Sequence, residues 1–275
     1  MTLAARPHFD RPPVTEVRLS ISYDRLPKLR SAHAGLLWAE VGGPRAYPAV
    51  EDLYREPAAV EEFGTQPEPT AFDVALFDRP RATRVALRSA DQAEAVELQD
   101  DQLTVLWSAT PGGAPYPRYE YVRGRFNAVY SAWQRIVQEQ ELGELRPRQA
   151  EIAYVNHLPV GVGWHQVADV PAALNLQWLP AATDLVTEVP EDLHLYQRYV
   201  LERAGQPYGR LYVSLDTART WNGEKAMALS LTVRGRPRKA SFDGTLEVLD
   251  DGHEIITSSF VSVTSEQMHE RWGRT

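Results

Sequence analysis

The sequence predicts an α+β fold made of two related halves, each running β-α-βββ-α, with antiparallel sheets and long helices packed on one face. Three observations carry that expectation. Residues 14–23 alternate apolar and polar side chains with the period of a half-buried strand. Residues 119–141 place apolar side chains on a single helical stripe. The order of strand-like and helix-like runs then starts again near residue 147.

Each element has its own signal. In VTEVRLSISY, Val17, Leu19, Ile21 and Tyr23 share one face, and Glu16, Arg18, Ser20 and Ser22 share the other. Pro27 precedes a helix over LRSAHAGLLWAEV, which Gly42, Gly43 and Pro44 stop. Residues 44–80 hold six prolines and predict a long irregular connection with a short helix near 57–63. Strands follow at ATRVALRS, EAVELQ and QLTVLWSA, the last two joined by a tight turn at Asp100 and Asp101. The helix over 119–141 carries Tyr119, Val122, Phe126, Val129, Trp133, Ile136 and Val137 on its stripe, and Gly143 ends it.

The second half repeats the order. RQAEIAYVNHL is a strand with Ala150, Ile152, Tyr154 and Asn156 on one side. A short helix around Ala172–Leu176 precedes three strands, LHLYQRYVLER, YGRLYVSLD and KAMALSLTV. Asn222-Gly223 predicts that the last two pair as an antiparallel hairpin. SFDGTLEVLDD leads into a closing helix near His253, and Ser265 starts a final short turn. Glu120 to Phe126 and Glu254 to Phe260 share one spacing, which would make the two closing helices equivalents. The boundaries read as an N-terminal half, 1–146, and a C-terminal half, 147–275, in one pseudo-duplicated unit. The expected layering is that of TATA-binding-protein-like or helix-grip folds.

Composition narrows the function classes. The chain has 275 residues, 43% of them hydrophobic, which is enough for a substantial core. A net charge of −8 argues against a phosphate-tracking, nucleic-acid-binding protein. The absence of cysteine excludes disulfides, thiolate nucleophiles and cysteine-based zinc sites. No apolar run approaches the roughly 20 residues of a membrane span, and the first residues lack the apolar region of a secretory signal. A cytoplasmic protein without a membrane association is expected.

Four stretches, in order along the chain, are PPVTEV at 12–17, YPRYEYVRGRF at 116–126, AEIAYVNHL at 150–158, and GHEIITSSF with WG at 252–273. With them the chain resembles a sporadically distributed bacterial family of uncharacterised proteins of similar length. The resemblance implies no activity and no catalytic residues. The scattered distribution implies carriage in accessory, defence-linked or mobile gene clusters.

The motifs do not build a reaction. A helical zinc site needs His-Glu-x-x-His, but Thr257 follows His253 and Glu254 where the second histidine belongs, and His269 lies beyond a break. His253 is better read as packing beside Ile256 and Phe260. His157, His165 and His194 are scattered. Gly161-Val-Gly163 lacks the third glycine of a dinucleotide fingerprint. The carboxylate pairs Asp100-Asp101 and Asp250-Asp251 read as turn or cap formers. The run Arg234-Gly-Arg236-Pro-Arg238-Lys239 is a solvated loop or a docking point for an acidic partner. No cofactor and no metal are expected, and the balance points away from an enzyme.

Two working surfaces remain. One is a sheet face carrying Tyr196, Arg198, Tyr208, Arg210 and Tyr212, residue types that dominate protein interfaces. It makes a non-catalytic protein-binding or assembly module the preferred reading, with a protein partner or a second copy as occupant. On that reading Tyr196→Ala combined with Arg210→Ala leaves the melting temperature nearly unchanged. The alternative is a small-ligand sensor or enzyme with a pocket between sheet and long helix, lined by Tyr119, Trp133, Tyr154 and Asn156. Convergent polar groups in a sizeable cavity favour the alternative; a dry, filled interior favours the first.

Overall fold

The computed structural model describes residues 7–57, 60–63, 84–175, 190, 192–220 and 222–275. β1 (Val14–Tyr23) buries Val17, Leu19, Ile21 and Tyr23 in the core, as its alternation requires. α1 (Ser31–Glu40) follows Pro27 and stops before Gly42, whose φ of +118° suits glycine alone. A single turn, α2 (Gly43–Ala46), leads into β2 (Ala49–Leu53).

β2 corrects the expected irregular connection over 44–80. Its residues pair antiparallel with β3 (Arg84–Arg88), and it forms one edge of the sheet. An edge strand tolerates Glu51 and Asp52 because one side of its backbone meets solvent. The short helix expected near 57–63 is also corrected, since none of the described residues there is helical. The Glu61 amide donates to the Gln149 side chain at 2.8 Å, so this backbone bonds across the sheet rather than to its own preceding turn. The remainder of the connection, 64–80, lies outside the described residues.

β4 (Glu94–Gln99) and β5 (Gln102–Ser108) meet at Asp100 and Asp101 in the expected turn. That turn is gripped from outside. Arg25 and Arg55 both bind the Asp100 carboxylate, and the Leu26 amide donates to the Asp100 carbonyl at 2.8 Å. α3 (Tyr119–Glu139) buries its whole predicted stripe. It stops before Gly143: Glu141 takes the left-handed position, φ +48°, and the Leu142 amide returns to the Val137 carbonyl at 3.0 Å.

β6 (Pro147–Pro159), α4 (Val170–Ala173), β7 (His194–Arg203), β8 (Gln206–Arg219) and β9 (Lys225–Gly235) follow. β7 and β8 join through Ala204 and Gly205, both at positive φ, the twist that a two-residue hairpin loop requires. β8 and β9 pair antiparallel across the segment containing Asn222-Gly223.

α5 (Phe242–Val263) differs most from expectation. It starts at Phe242, where the Ser241 hydroxyl accepts the Gly244 amide, and it runs unbroken to Val263. His253 therefore falls in mid-helix, whereas Tyr119 opens α3. The shared Glu-to-Phe spacing does not mark equivalent positions, and Asp250 and Asp251 lie within the helix rather than in a turn. Glycine weakens a helix in isolation, yet Gly252 lies well inside α5. Its physical role is closeness: a Cβ there would lie 2.5 Å from Ile152 Cγ2 and 3.1 Å from Val233 Cγ1, so glycine lets α5 settle onto β6 and β9. α6 (Glu266–Arg271) follows Ser265 as expected.

The nine strands among the described residues form one antiparallel sheet in the order β2-β3-β4-β5-β1-β6-β9-β8-β7, so the two halves of the chain meet at the β1–β6 ladder in a continuous sheet. α3 packs against β5 and β1, and α5 against β6 and β9. The strand side chains pointing to these helices are apolar and buried. The opposite alternation class is polar, with Ser20 bonded to Thr104 at 2.8 Å and Arg84 to Glu97 at 2.7 Å. Among the described residues, no helix is long and apolar enough to cross a membrane.

Candidate functional site

A cavity of about 220 Å³ opens at the N-terminal end of α3. The segment before β1 supplies Phe9 and Pro12, β1 supplies Val14, and α5 supplies His253, Ile256 and Phe260 from one helical face. β6 supplies Tyr154 and Asn156, whose inward direction the alternation had marked.

The polar groups in this cavity converge. The Tyr116 hydroxyl lies 3.1 Å from that of Tyr154, which lies 3.0 Å from His253 Nδ1. The His253 ring stacks on Tyr119, with centroids 4.0 Å apart and planes 9° from parallel. Tyr119 donates to Asp250 at 2.6 Å, and Arg123 binds the same carboxylate at 3.0 and 3.1 Å. Burial pushes the Tyr116, Tyr119 and Tyr154 hydroxyls well above the ordinary tyrosine range; the Asp250 carboxylate adds to the rise at Tyr119. These hydroxyls stay protonated at neutral pH, and serve as hydrogen-bonding groups rather than bases.

Of the four predicted pocket residues, Tyr119, Tyr154 and Asn156 line the cavity. Trp133 does not: it is fully buried in the core further along α3. Sequence reasoning placed His253 correctly beside Ile256 and Phe260 but took that face for plain packing. Tyr116 and Phe9 were not identified as lining residues, because only the assembled fold brings the segment before β1 and the loop before α3 to α5.

The Tyr/Arg face is brought together in part. Tyr196, Arg198, Arg210 and Tyr212 share the polar face of β7 and β8, with the Tyr196 and Tyr212 rings 6.1 Å apart. Tyr196 and Arg198 are exposed. Tyr208 is not with them: it is the extra residue where the β7–β8 register shifts between the Leu201–Gly209 and Glu202–Pro207 pairs, which breaks the alternation, and it packs under Arg203, which pairs with Asp251 of α5. Arg210 and Tyr212 are covered by Glu61, which is only 4% exposed; Arg210 and Tyr212 both bind its carboxylate. Burial, and next the bond to Glu61, push the Tyr212 hydroxyl up to about 12.

His269, the second histidine of the closing segment, is a fixed structural group. Arg274 Nη1 donates to its Nδ1 at 3.0 Å, so Nε2 carries the proton and donates to Thr264 Oγ1 at 2.8 Å; that hydroxyl donates onward to the Phe260 carbonyl at 2.6 Å. Burial, then the Arg274 charge, lower its pKa, and burial lowers that of His157. Below about pH 6.5 the unfolded imidazoles bind protons that the folded ones resist, so stability falls as pH falls through that value. The melting temperature is expected to drop between pH 7.5 and 5.5, and to drop less in His269→Gln; an equal drop in both would remove His269 from this account. Among the described residues, no three histidine or carboxylate side chains gather as metal ligands.

The chain matches no protein-family model, no curated protein and no solved structure in the three comparisons made. The class defined by fold and site is therefore a structural one: a mixed helix–strand protein built on a single nine-stranded antiparallel sheet, with an aromatic pocket against one face and a charged, self-covered cluster on the other.

Proposed function

We propose that the chain is a non-catalytic small-ligand binding protein, with its ligand in the cavity between β6, the start of α3 and α5. The observation that carries this reading is the Tyr116–Tyr154–His253 chain of hydrogen-bonding groups in a cavity where Phe9, Pro12, Val14, Ile256 and Phe260 supply an apolar wall and Arg118 and Glu120 add charge. Either partner in each of these bonds can be the donor, so the chain can reverse to meet a ligand acceptor or a ligand donor. The fitting ligand is small and flat, with an apolar body for Phe9, Ile256 and Phe260 and at least one polar group for the hydroxyl chain. Raised hydroxyl pKa values support binding over proton-transfer catalysis.

The strand order also supports an internal duplication with TATA-binding-protein-like layering. Outward from the centre it runs β1-β5-β4-β3 and then the extra edge strand β2 on one side, and β6-β9-β8-β7 on the other. In chain order a long helix follows β5 and another follows β9, the strands next to β1 and β6 in the sheet.

A thermal-shift screen of small aromatic acids, phenols and indoles tests the binding reading. A molecule held at 100 times its dissociation constant stabilises the fold by about 2.7 kcal/mol, a shift of several degrees. Tyr154→Phe is expected to weaken such a hit about tenfold, and to lower the unliganded stability by only about 1 kcal/mol because the fold keeps its ring. Hits that ignore both Tyr154→Phe and His253→Phe would place binding elsewhere, and the reading would fall.

A further inference from the structure

The polar face of the sheet holds a piece of this chain in the way a receptor holds a peptide. Residues 60–63 belong to no helix or strand, yet side chains of the sheet and of the turn after β9 bond three of their backbone groups. The Glu61 amide donates to Gln149 Oε1 at 2.8 Å, the Glu61 carbonyl accepts from Arg236, and the Glu62 carbonyl accepts from Arg210 at 2.7 Å. Two side chains are read as well. The Glu61 carboxylate binds Arg210 and Tyr212 with Arg234 3.9 Å away, and the Phe63 ring lies 4.5 Å from the Arg210 guanidinium and 5.2 Å from that of Arg236.

The charge balance indicates what belongs there. Arg210, Arg234 and Arg236 face Glu61 and Glu151, the latter bound by Arg234. Without Glu61, three guanidinium groups face one carboxylate in a chain whose net charge is −8. The receptor residues sit on β6, β8, β9 and the turn after β9, a framework held by continuous ladders. Among the described residues, the bonds that hold the occupant come from side chains.

We propose that Gln149, Arg210, Tyr212, Arg234 and Arg236 form a docking site for an acidic segment of a partner protein carrying Glu-x-Phe, and that Glu61–Phe63 is an internal occupant which the partner displaces. This explains why the basic run at 234–239 interrupts an acidic protein: two of its arginines hold the acid and its backbone. It is independent of the small-ligand pocket, which shares none of these residues.

The experiment uses the full chain and a fluorescein-labelled peptide, Ala-Ala-Val-Glu-Glu-Phe-Gly-Thr, followed by anisotropy. A Glu61→Ala, Phe63→Ala variant is expected to bind it about tenfold or more tighter than the wild type. The same preference is expected over a control peptide with both glutamates replaced by glutamine, and adding Arg210→Ala should abolish binding. Equal binding by variant and wild type, or of both peptides, would overturn the proposal. So would a single-stranded oligonucleotide that competes more strongly than the peptide, since it would make the arginines a phosphate site. If the opened variant does not fold, the wild type decides. Excess peptide should speed hydrogen exchange at the Glu61 amide, and unchanged exchange would make residues 60–63 a structural strap.

Discussion

Trp133→Ala is expected to cost about 4 kcal/mol of folding stability, the largest effect of any single change considered for this chain. Trp133 sits at the centre of the α3 stripe with no exposed surface, among the side chains that seal α3 onto β1 and β5. Truncation removes the transfer energy of the indole and leaves a cavity that the buried stripe on either side, from Tyr119 to Val137, resists closing. Chemical denaturation at equilibrium would measure it. Because Trp133 does not line the pocket, any ligand found there should bind the folded variant as it binds the wild type. A loss below about 1 kcal/mol would mean that this part of the core is loosely packed, contrary to its burial.

Arg210→Ala is expected to cost about 3 kcal/mol, the lower end of the range for removing one partner from a buried ion pair. Glu61 keeps Tyr212 and has Arg234 nearby, which limits the damage. The exposed neighbour Arg198 supplies the contrast: Arg198→Ala should stay within about 0.5 kcal/mol. This changes the expectation drawn from alternation alone, on which the Tyr196 and Arg210 double substitution left the melting temperature unaltered. A double-mutant cycle with Glu61→Gln should return a coupling above about 1 kcal/mol. Additive single effects would show that the pair does not hold the segment in solution.

Much of the architecture was legible because it is local chemistry repeated at a fixed period. Val17, Leu19, Ile21 and Tyr23 mark the buried side of β1, and Ala150, Ile152, Tyr154 and Asn156 that of β6, since successive strand side chains must point to opposite faces. The α3 stripe is legible for the same reason at a different period. The start of α5 was not, because Gly252 carries two meanings: weak helix former, and the one side chain small enough for close contact with Ile152 and Val233. β2 was hidden by the prolines around it, since edge pairing leaves little apolar trace.

The sequence by itself determined which side of each strand and helix is apolar, where Asp100 and Asp101 turn the chain, and that arginine and tyrosine gather on the polar side of β8. Only the tertiary structure decided what covers those sides. Periodicity reports that a face will be buried or wet; it carries no address for the group that arrives there. Arg210 and Glu61 lie 149 residues apart in sequence, and Tyr154 and His253 lie 99 apart. Such pairs form because the β1–β6 ladder joins both halves of the chain into one sheet, bringing distant loops and helices over the same few strands.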